Sequence, residues 1–426
     1  MKSQSLKLVF FFLIGFLIYS NTFDVPFFFD DQPNVRYNSN IQLSELTFKG
    51  LWNAAFESPA SNRPVSNISF AINYYFHQYG RAGYHIINTV IHILTAVFFY
   101  LLIETTLRLP TSTPSLHHSK TPPLETGSST LPHHCVTPST IALSAAILWL
   151  VHPVQTQSVT YIVQRMTAMA AMFYILSLLL YVKGRLAIKS NRNGLWYFTG
   201  GLSAAMLAIG SKEIAATLPI FVLLYEWYFF QDLSTAWLKR RLPYIAAALV
   251  GFGLIAFLFL GANPLHSLLA GYAKRDFTLI QRVLTEFRVI IYYIGLLFYP
   301  HPLRLSLERD FALSHSLIEP PTTLVCIAVV SGLIALAVIL ARRQRLISFS
   351  ILWFFGNLAI ESTIIPLEII FEHRLYLPSM FFFAAITILG YRHIRKRAAV
   401  ITLVCATTLL CGLWTYKRNS LWKNPI

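Results

Sequence analysis

LKLVFFFLIGFLIYSNTFDVPFFFDD, residues 6–31, decides how the rest of the chain is read. Positions 6–23 form one apolar run, about the length a helix needs to cross roughly 30 Å of hydrocarbon. Charged groups are costly in such a medium, roughly 2.5–3.5 kcal/mol each at a helix centre on insertion scales. Two adjacent acids, Asp30 and Asp31, nevertheless follow just beyond the run. Lys2 and Lys7 flank its start, so the positive-inside bias puts the N-terminus in the cytoplasm and the acids outside. The run lacks a small-residue cleavage site and reads as a retained anchor. The turn FDDQPN would end a helix without any further role; acids set for chemistry at the membrane surface would fit equally well.

Composition settles the class. Of 426 residues, 55% are hydrophobic and 12% charged, and the mean hydropathy is +0.56. A soluble domain carries about 25% charged residues, so the sequence predicts an integral membrane protein. Alternating ten-residue strand patterns are absent, which excludes an outer-membrane barrel. The expected fold is all-α, a polytopic helical bundle. The formal charge of +16 does not signal nucleic acid, because the cations cluster in short loops between apolar runs, as at Lys183/Arg185/Lys189/Arg192 and Arg392/Arg395/Lys396/Arg397. The four cysteines form neither a metal spacing nor a disulfide framework.

Spans are expected at about 6–23, 84–103, 141–151, 159–182, 195–209, 214–230, 244–261, 323–340, 347–365, 376–391 and 400–416, about eleven in all, with the C-terminus outside. Residues 287–299 are apolar but short and read as interfacial or re-entrant. The first external loop, 24–83, contains two amphipathic helices, SELTFKGLWNAAF (44–56) and PVSNISFAINYYFH (64–77). A Ser cap opens the first and a first-turn Pro the second, and their aromatics suit the interface plane. Residues 105–138, rich in Pro, Ser, Thr and His, read as a flexible cytoplasmic linker. The pairs His117/His118 and His133/His134 belong to that polar composition. His85 and His92 read as packed helix-face residues, and Met166, Met169 and Met172 as packing.

In this topology the unusual ionisable groups share one membrane face. They are Asp30, Asp31 and Arg63 in the first loop, and His152 and Arg165 around the next external turn. Lys212 and Glu213 lie between two spans, Asp310 in the stretch LRLSLERDFALSHS, and Glu372, His373 and Arg374 in the hairpin between the spans expected at 347–365 and 376–391. Plainer readings exist: Arg165 would snorkel, Lys212–Glu213 would pair locally, and His152-Pro153 would end a helix. Together the groups suit one chemistry. A carboxylate accepts the proton of an attacking hydroxyl, while Arg and Lys hold an anionic leaving group such as phosphate. At a bilayer surface that phosphate belongs to a lipid, which implies a polyprenyl-phosphate sugar as donor.

The segments FFFDDQPNVRYN, SNRPVSNISFAINYYF, GYHIINTVIHIL, LVHPVQTQSVTYIVQR, GSKEIAATLP and FEHRLYLPS, in this order, resemble the membrane part of the transmembrane and tetratricopeptide-repeat O-mannosyltransferases and their bacterial relatives. These belong to the GT-C superfamily of lipid-phosphosugar glycosyltransferases. The resemblance implies a GT-C-like single membrane domain over 1–426 and an inverting transferase that uses a polyprenyl- or dolichyl-phosphate sugar. It implies that Asp30 or Asp31 is the catalytic carboxylate. Arg165, Lys212, His373 and Arg374 are expected at the donor phosphate, with Arg63, His152, Glu213, Glu372 and Asp310 supporting. The family continues into tetratricopeptide repeats; no such repeat is seen here, so acceptor recognition is expected on a separate repeat-containing partner.

The expected activity is transfer of a sugar, with mannose suggested, to a protein or glycan hydroxyl on the external face, periplasmic if the membrane is a bacterial inner membrane. Paired carboxylates and phosphate would suit Mg²⁺ or Mn²⁺, but no acid cluster compels a metal. A transporter or flippase of lipid-linked sugars would want midplane ionisable groups and internal repeats. A catalytically silent membrane scaffold would tolerate loss of both aspartates.

Overall fold

The computed structural model describes residues 2–109, 136–246, 269–307 and 309–423. Helices account for the ordered elements, and no strand occurs among the described residues. Six helices are long and apolar enough to cross a membrane, and a bent pair would make seven. The expected count of about eleven is not reproduced by length and composition among these residues. Residues 110–135 of the expected linker, with both His pairs and Cys135, lie outside the described residues, as does 247–261 of the expected span 244–261.

Helix α1 (Lys2–Tyr19) enters the first loop, where α2 (Phe48–Phe56) and α3 (Pro64–His77) appear. The bounds of α3 match the reading from Pro64 onward. Helix α2 starts later than expected, because Thr47 rather than Ser44 is the cap: its hydroxyl accepts from the Gly50 N–H at 3.1 Å. Helix α4 (Arg81–Leu107) outruns the expected 84–103. The hydroxyls of Thr105 and Thr106 fold back onto the carbonyls of Leu101 and Leu102, and Glu104 pairs with Arg108, so the polar last turn stays helical.

Helix α5 (Pro138–Leu150) stops before His152-Pro153. Proline has no N–H to continue the ladder, and the chain bends by 53° into residues Pro153–Thr160. Where one span was expected from 159, the short helix α6 (Thr156–Thr160) ends and α7 (Arg165–Lys189) begins afresh. Helix α8 (Leu195–Ile209) matches its expected bounds, and α9 (Leu218–Tyr225) follows a 3-10 turn, Glu213–Thr217. The stretch read as short and interfacial or re-entrant belongs to the 20-residue α10 (Leu279–Phe298), capped by Thr278 and Gln281, which is not among the six helices long and apolar enough to cross a membrane. Its first turns carry Arg282 and Glu286, which hid the helix from an apolar-run reading.

Helices α11 (Thr322–Leu340), α12 (Arg345–Leu358), α13 (Ser379–His393) and α14 (Arg397–Leu421) complete the bundle. The expected span 347–365 is cut at Leu358, and the chain then runs irregularly to Phe371. One large core holds Trp149, Trp353, Phe349 and Phe381. A smaller one joins the first loop to residues 161–166 and Trp422.

The second core fixes which helix ends meet. Trp422 at the end of α14 touches the rings of Phe28 and Tyr161, and the Val65 N–H donates to the Gly210 carbonyl at 2.9 Å. The end of α8, the start of α7 and the end of α14 therefore share the side of the first loop. A cysteine at Glu57 and one at Arg192, both exposed, should label from opposite sides of a sealed vesicle in a cysteine-free background. The second lies beyond the far end of α7, roughly 37 Å along its axis at 1.5 Å per residue. Labelling of both from one side would overturn this arrangement.

Candidate active site

The aspartates sit in a tight loop just before the π-turn Gln32–Arg36. Phe29, with φ 34°, adopts a backbone region that a bulky side chain avoids, so tertiary bonds must hold the reversal. Asp31 supplies them. Its fully buried carboxylate accepts the Phe28 N–H at 3.0 Å and the Val163 N–H at 2.6 Å. Burial pushes its pKa up to about 8, against the pull of those two N–H groups and with the charge of Asp30 adding to the rise. Asp30 is exposed, and its N–H donates to the Tyr161 hydroxyl at 2.8 Å. The pair thus divides into one acid facing inward and one facing out.

Arg165 was expected at a donor phosphate, but the residue is 0% exposed and four of its five N–H donors are bonded within the protein. Nε donates to Asn88 Oδ1 and NH2 to Asn73 Oδ1, both at 2.6 Å, with further bonds to the carbonyls of Tyr84 and Ser69. The Phe70 ring lies 4.6 Å from its Cζ. An arginine so matched joins α3, α4 and α7 and has no open fork for a ligand.

Lys212, His373 and Arg374 do come together. Lys212 Nζ donates to Glu361 Oε1 at 2.9 Å and to Thr167 Oγ1 at 3.0 Å. Burial lowers its pKa although Glu361 raises it. Glu361 is buried too, which alone would raise its pKa, but Lys212 and Arg374 hold it below the ordinary carboxylate value. Burial depresses the pKa of His373 well below normal, and the charges of Lys212, Arg374 and Arg63 press it further. The ring is therefore neutral. The amide oxygen of Gln157 accepts the His373 backbone N–H at 2.7 Å and faces Nδ1 at 3.2 Å, which leaves Nε2 as the ring nitrogen not engaged by Gln157.

Besides Glu361, two further residues that the sequence reading missed complete the cluster. Arg282 and Glu286, one turn apart on α10, pair at 2.9 Å with almost no exposure. Arg282 also grips the carbonyls of Glu361, Thr363, Leu367 and Glu368, which is why the chain after Leu358 leaves the helix. Glu286 lies 3.7 Å from Arg374 NH1. Arg374 donates to the carbonyls of Ile369 and Glu368, while its buried Nε has no partner. The signal was present as R-V-L-T-E, an i,i+4 ion pair on one helix face.

The supporting residues scatter. Arg63 forks onto Glu213 with Nε at 3.2 Å from both oxygens, and Asn62 joins the same carboxylate. That contact ties the first loop to the 210–213 turn. His152 instead caps the turn at Pro153, and its Nε2 lies 3.3 Å from the Leu297 carbonyl. Leu297 is roughly 17 Å along α10 from Glu286 at 1.5 Å per residue, so His152 is not in the cluster. Glu372 turns away to accept the Ser306 N–H at 2.6 Å. Asp310 is exposed.

The acid and cation halves meet along residues 161–167. Tyr161 and Val163 hold the aspartates, whereas Met166 Sδ receives Arg63 NH1 at 3.3 Å and Thr167 faces Lys212. Val163 and Thr167 are separated by roughly 6 Å of helical rise. Each Asp31 oxygen accepts one backbone N–H, and no group of three or more His, Cys, Asp or Glu side chains that could hold a metal occurs among the described residues.

The chain is 27% identical over 192 residues to protein O-mannosyl-transferase F38B6.6 of Caenorhabditis elegans, covering 43% of this chain and 24% of that protein. It is related by sequence to the protein O-mannosyl-transferases. The human protein O-mannosyl-transferase TMTC4 is 27% identical over 196 residues, 42% of this chain and 23% of its own. Human TMTC2 is 23% identical over 240 residues, 54% and 25%. The chain thus spans about a quarter of these relatives' length. No family model matches it, and no solved structure does.

Loss of one partner from a buried ion pair costs about 3–5 kcal/mol. Lys212→Met should therefore lower the melting temperature in detergent markedly by stranding Glu361. Lys212→Met combined with Glu361→Leu should recover most of that loss. A single variant as stable as the wild type would show that the pair is not buried as described.

Proposed function

We propose that the chain is the membrane unit of a glycosyltransferase that moves a sugar, mannose by analogy with its relatives, from a polyprenyl- or dolichyl-phosphate to a hydroxyl of a protein or glycan. The site lies on the face of the first loop, which this reading places outside. The observation that carries it is the gathering of Lys212, His373, Arg374 and Arg63 beside the segment that anchors Asp30 and Asp31. The names of the related proteins support the same class of reaction.

Asp30 is the general base. Its carboxylate is at the surface beside Tyr161, free to take the proton of an acceptor hydroxyl, whereas Asp31 is a brace for the loop. The acceptor oxygen attacks the anomeric carbon, the bond from that carbon to the phosphate oxygen breaks, and the lipid phosphate leaves with the bonding pair. Lys212 uses two of its three N–H donors inside the protein and keeps one for that oxygen. The unpartnered Nε of Arg374 completes the set, while the neutral ring of His373, its Nδ1 facing the Gln157 amide oxygen, presents Nε2 as an acceptor and does not hold the phosphate. Arg165 positions the loop and does not touch the donor. No step is assigned to a metal.

Asp30→Asn should lower transfer from radiolabelled polyprenyl-phosphate mannose by at least about a hundredfold, the usual weight of a general base, with an unchanged melting curve. Asp31→Asn should instead lower stability by about 1–3 kcal/mol, because its amide meets one of the two backbone N–H groups with another donor. Full transfer by Asp30→Asn would remove the base from the mechanism.

A further inference from the structure

A cavity of about 500 Å³ opens beside the first loop, away from the cation cluster, and Arg36, Tyr37, Gln42, Tyr79 and Arg81 line it. Pro26 and Phe27 form its apolar wall. We propose that it binds the phosphate of a membrane phospholipid. The inference is independent of the transferase reading.

Its walls are built rather than incidental. The carbonyl of Arg36 accepts from the Tyr79 hydroxyl at 3.0 Å and from Gln42 Nε2 at 3.3 Å, so the loop, α3 and α4 are pinned around the opening. Those bonds engage the backbone of Arg36 and leave its side chain free. The guanidinium lies 5.7 Å from the centre of the Tyr37 ring. Arg81 gives one N–H to the Asp24 carbonyl at 3.2 Å. Five donors per guanidinium exceed these contacts, and no acidic side chain lines the cavity. Two cations face a space with no counter-charge, and forked donors of this kind match phosphate.

Position selects the source of that phosphate. Arg81 opens the apolar helix Arg81–Leu107, and the first candidate span closes at Thr22. The cavity therefore lies level with the ends of two spans, where headgroups sit and where Tyr and Arg collect. Gly80 caps α4 without a side-chain bond, so the positive helix end adds to the field. The apolar wall also belongs to the segment that carries Asp30 three residues beyond Phe27, so an occupant braces that segment.

Native mass spectrometry of the full chain in detergent, titrated with phosphatidylglycerol, tests the proposal. The wild type should retain one lipid, and Arg36→Gln/Arg81→Gln should bind it at least about tenfold more weakly, at roughly fivefold per arginine. Lys49→Gln, an exposed cation outside the cavity, should bind as the wild type does. Should the double variant not fold, Arg36→Gln alone carries the test, with an expected loss of about fivefold. Equal retention in the arginine variants overturns the site. Displacement by inorganic phosphate, as effective as displacement by a second lipid, overturns the lipid assignment in favour of a soluble anion.

Discussion

One guanidinium without access to water organises the first-loop side of this bundle. Arg165 opens α7 inside the protein, and a buried charge left unmatched costs several kcal/mol. Two asparagine oxygens, two carbonyls and two aromatic faces surround it, drawn from α3 and α4. Helix α7 can begin there only if α3 lies across the helix ends and α4 presents Asn88. With that start fixed, Val163 offers its N–H to Asp31 rather than to a helical carbonyl, and Thr167 one turn later meets Lys212. The acid loop and the cation cluster thus take their places from one matched charge.

Much of this was legible in the residues. Apolar runs marked most helices, and ionisable groups at their ends marked the side where the buried charges gather, because charge in hydrocarbon is expensive wherever it occurs. The bounds of α3 and α8 followed from a first-turn proline and a glycine-flanked apolar run. Three features were beyond that kind of reading. Arg165 looked like a phosphate ligand because a sequence shows its charge but not Asn73 and Asn88, far away in the chain, which satisfy it. The aspartates were equivalent on paper, and only the partner of each backbone N–H separates them. Glu361 fell inside an expected span because the carbonyls that let the chain unwind there are held by Arg282, from another helix.

The charge balance of the cluster bears on the chemistry proposed for it. Lys212, Arg63, Arg282 and Arg374 are four cations beside the carboxyl groups of Glu213, Glu286 and Glu361, and burial pushes the pKa of Glu286 up to about 7, so the cluster carries an excess of at least one positive charge. His373 adds none, since burial and its cationic neighbours keep the ring neutral. The phosphodiester of a lipid-phosphosugar carries one negative charge and would offset that excess. Breaking the sugar–phosphate bond puts further negative charge on the leaving oxygen, and interactions that strengthen only at that point accelerate the reaction. A cluster with a larger excess would hold the donor and the spent carrier alike too tightly. On the proposed reading the buried carboxylates, costly to desolvate and unable to ligate phosphate, would hold the cations fixed for the charge that develops late in the reaction.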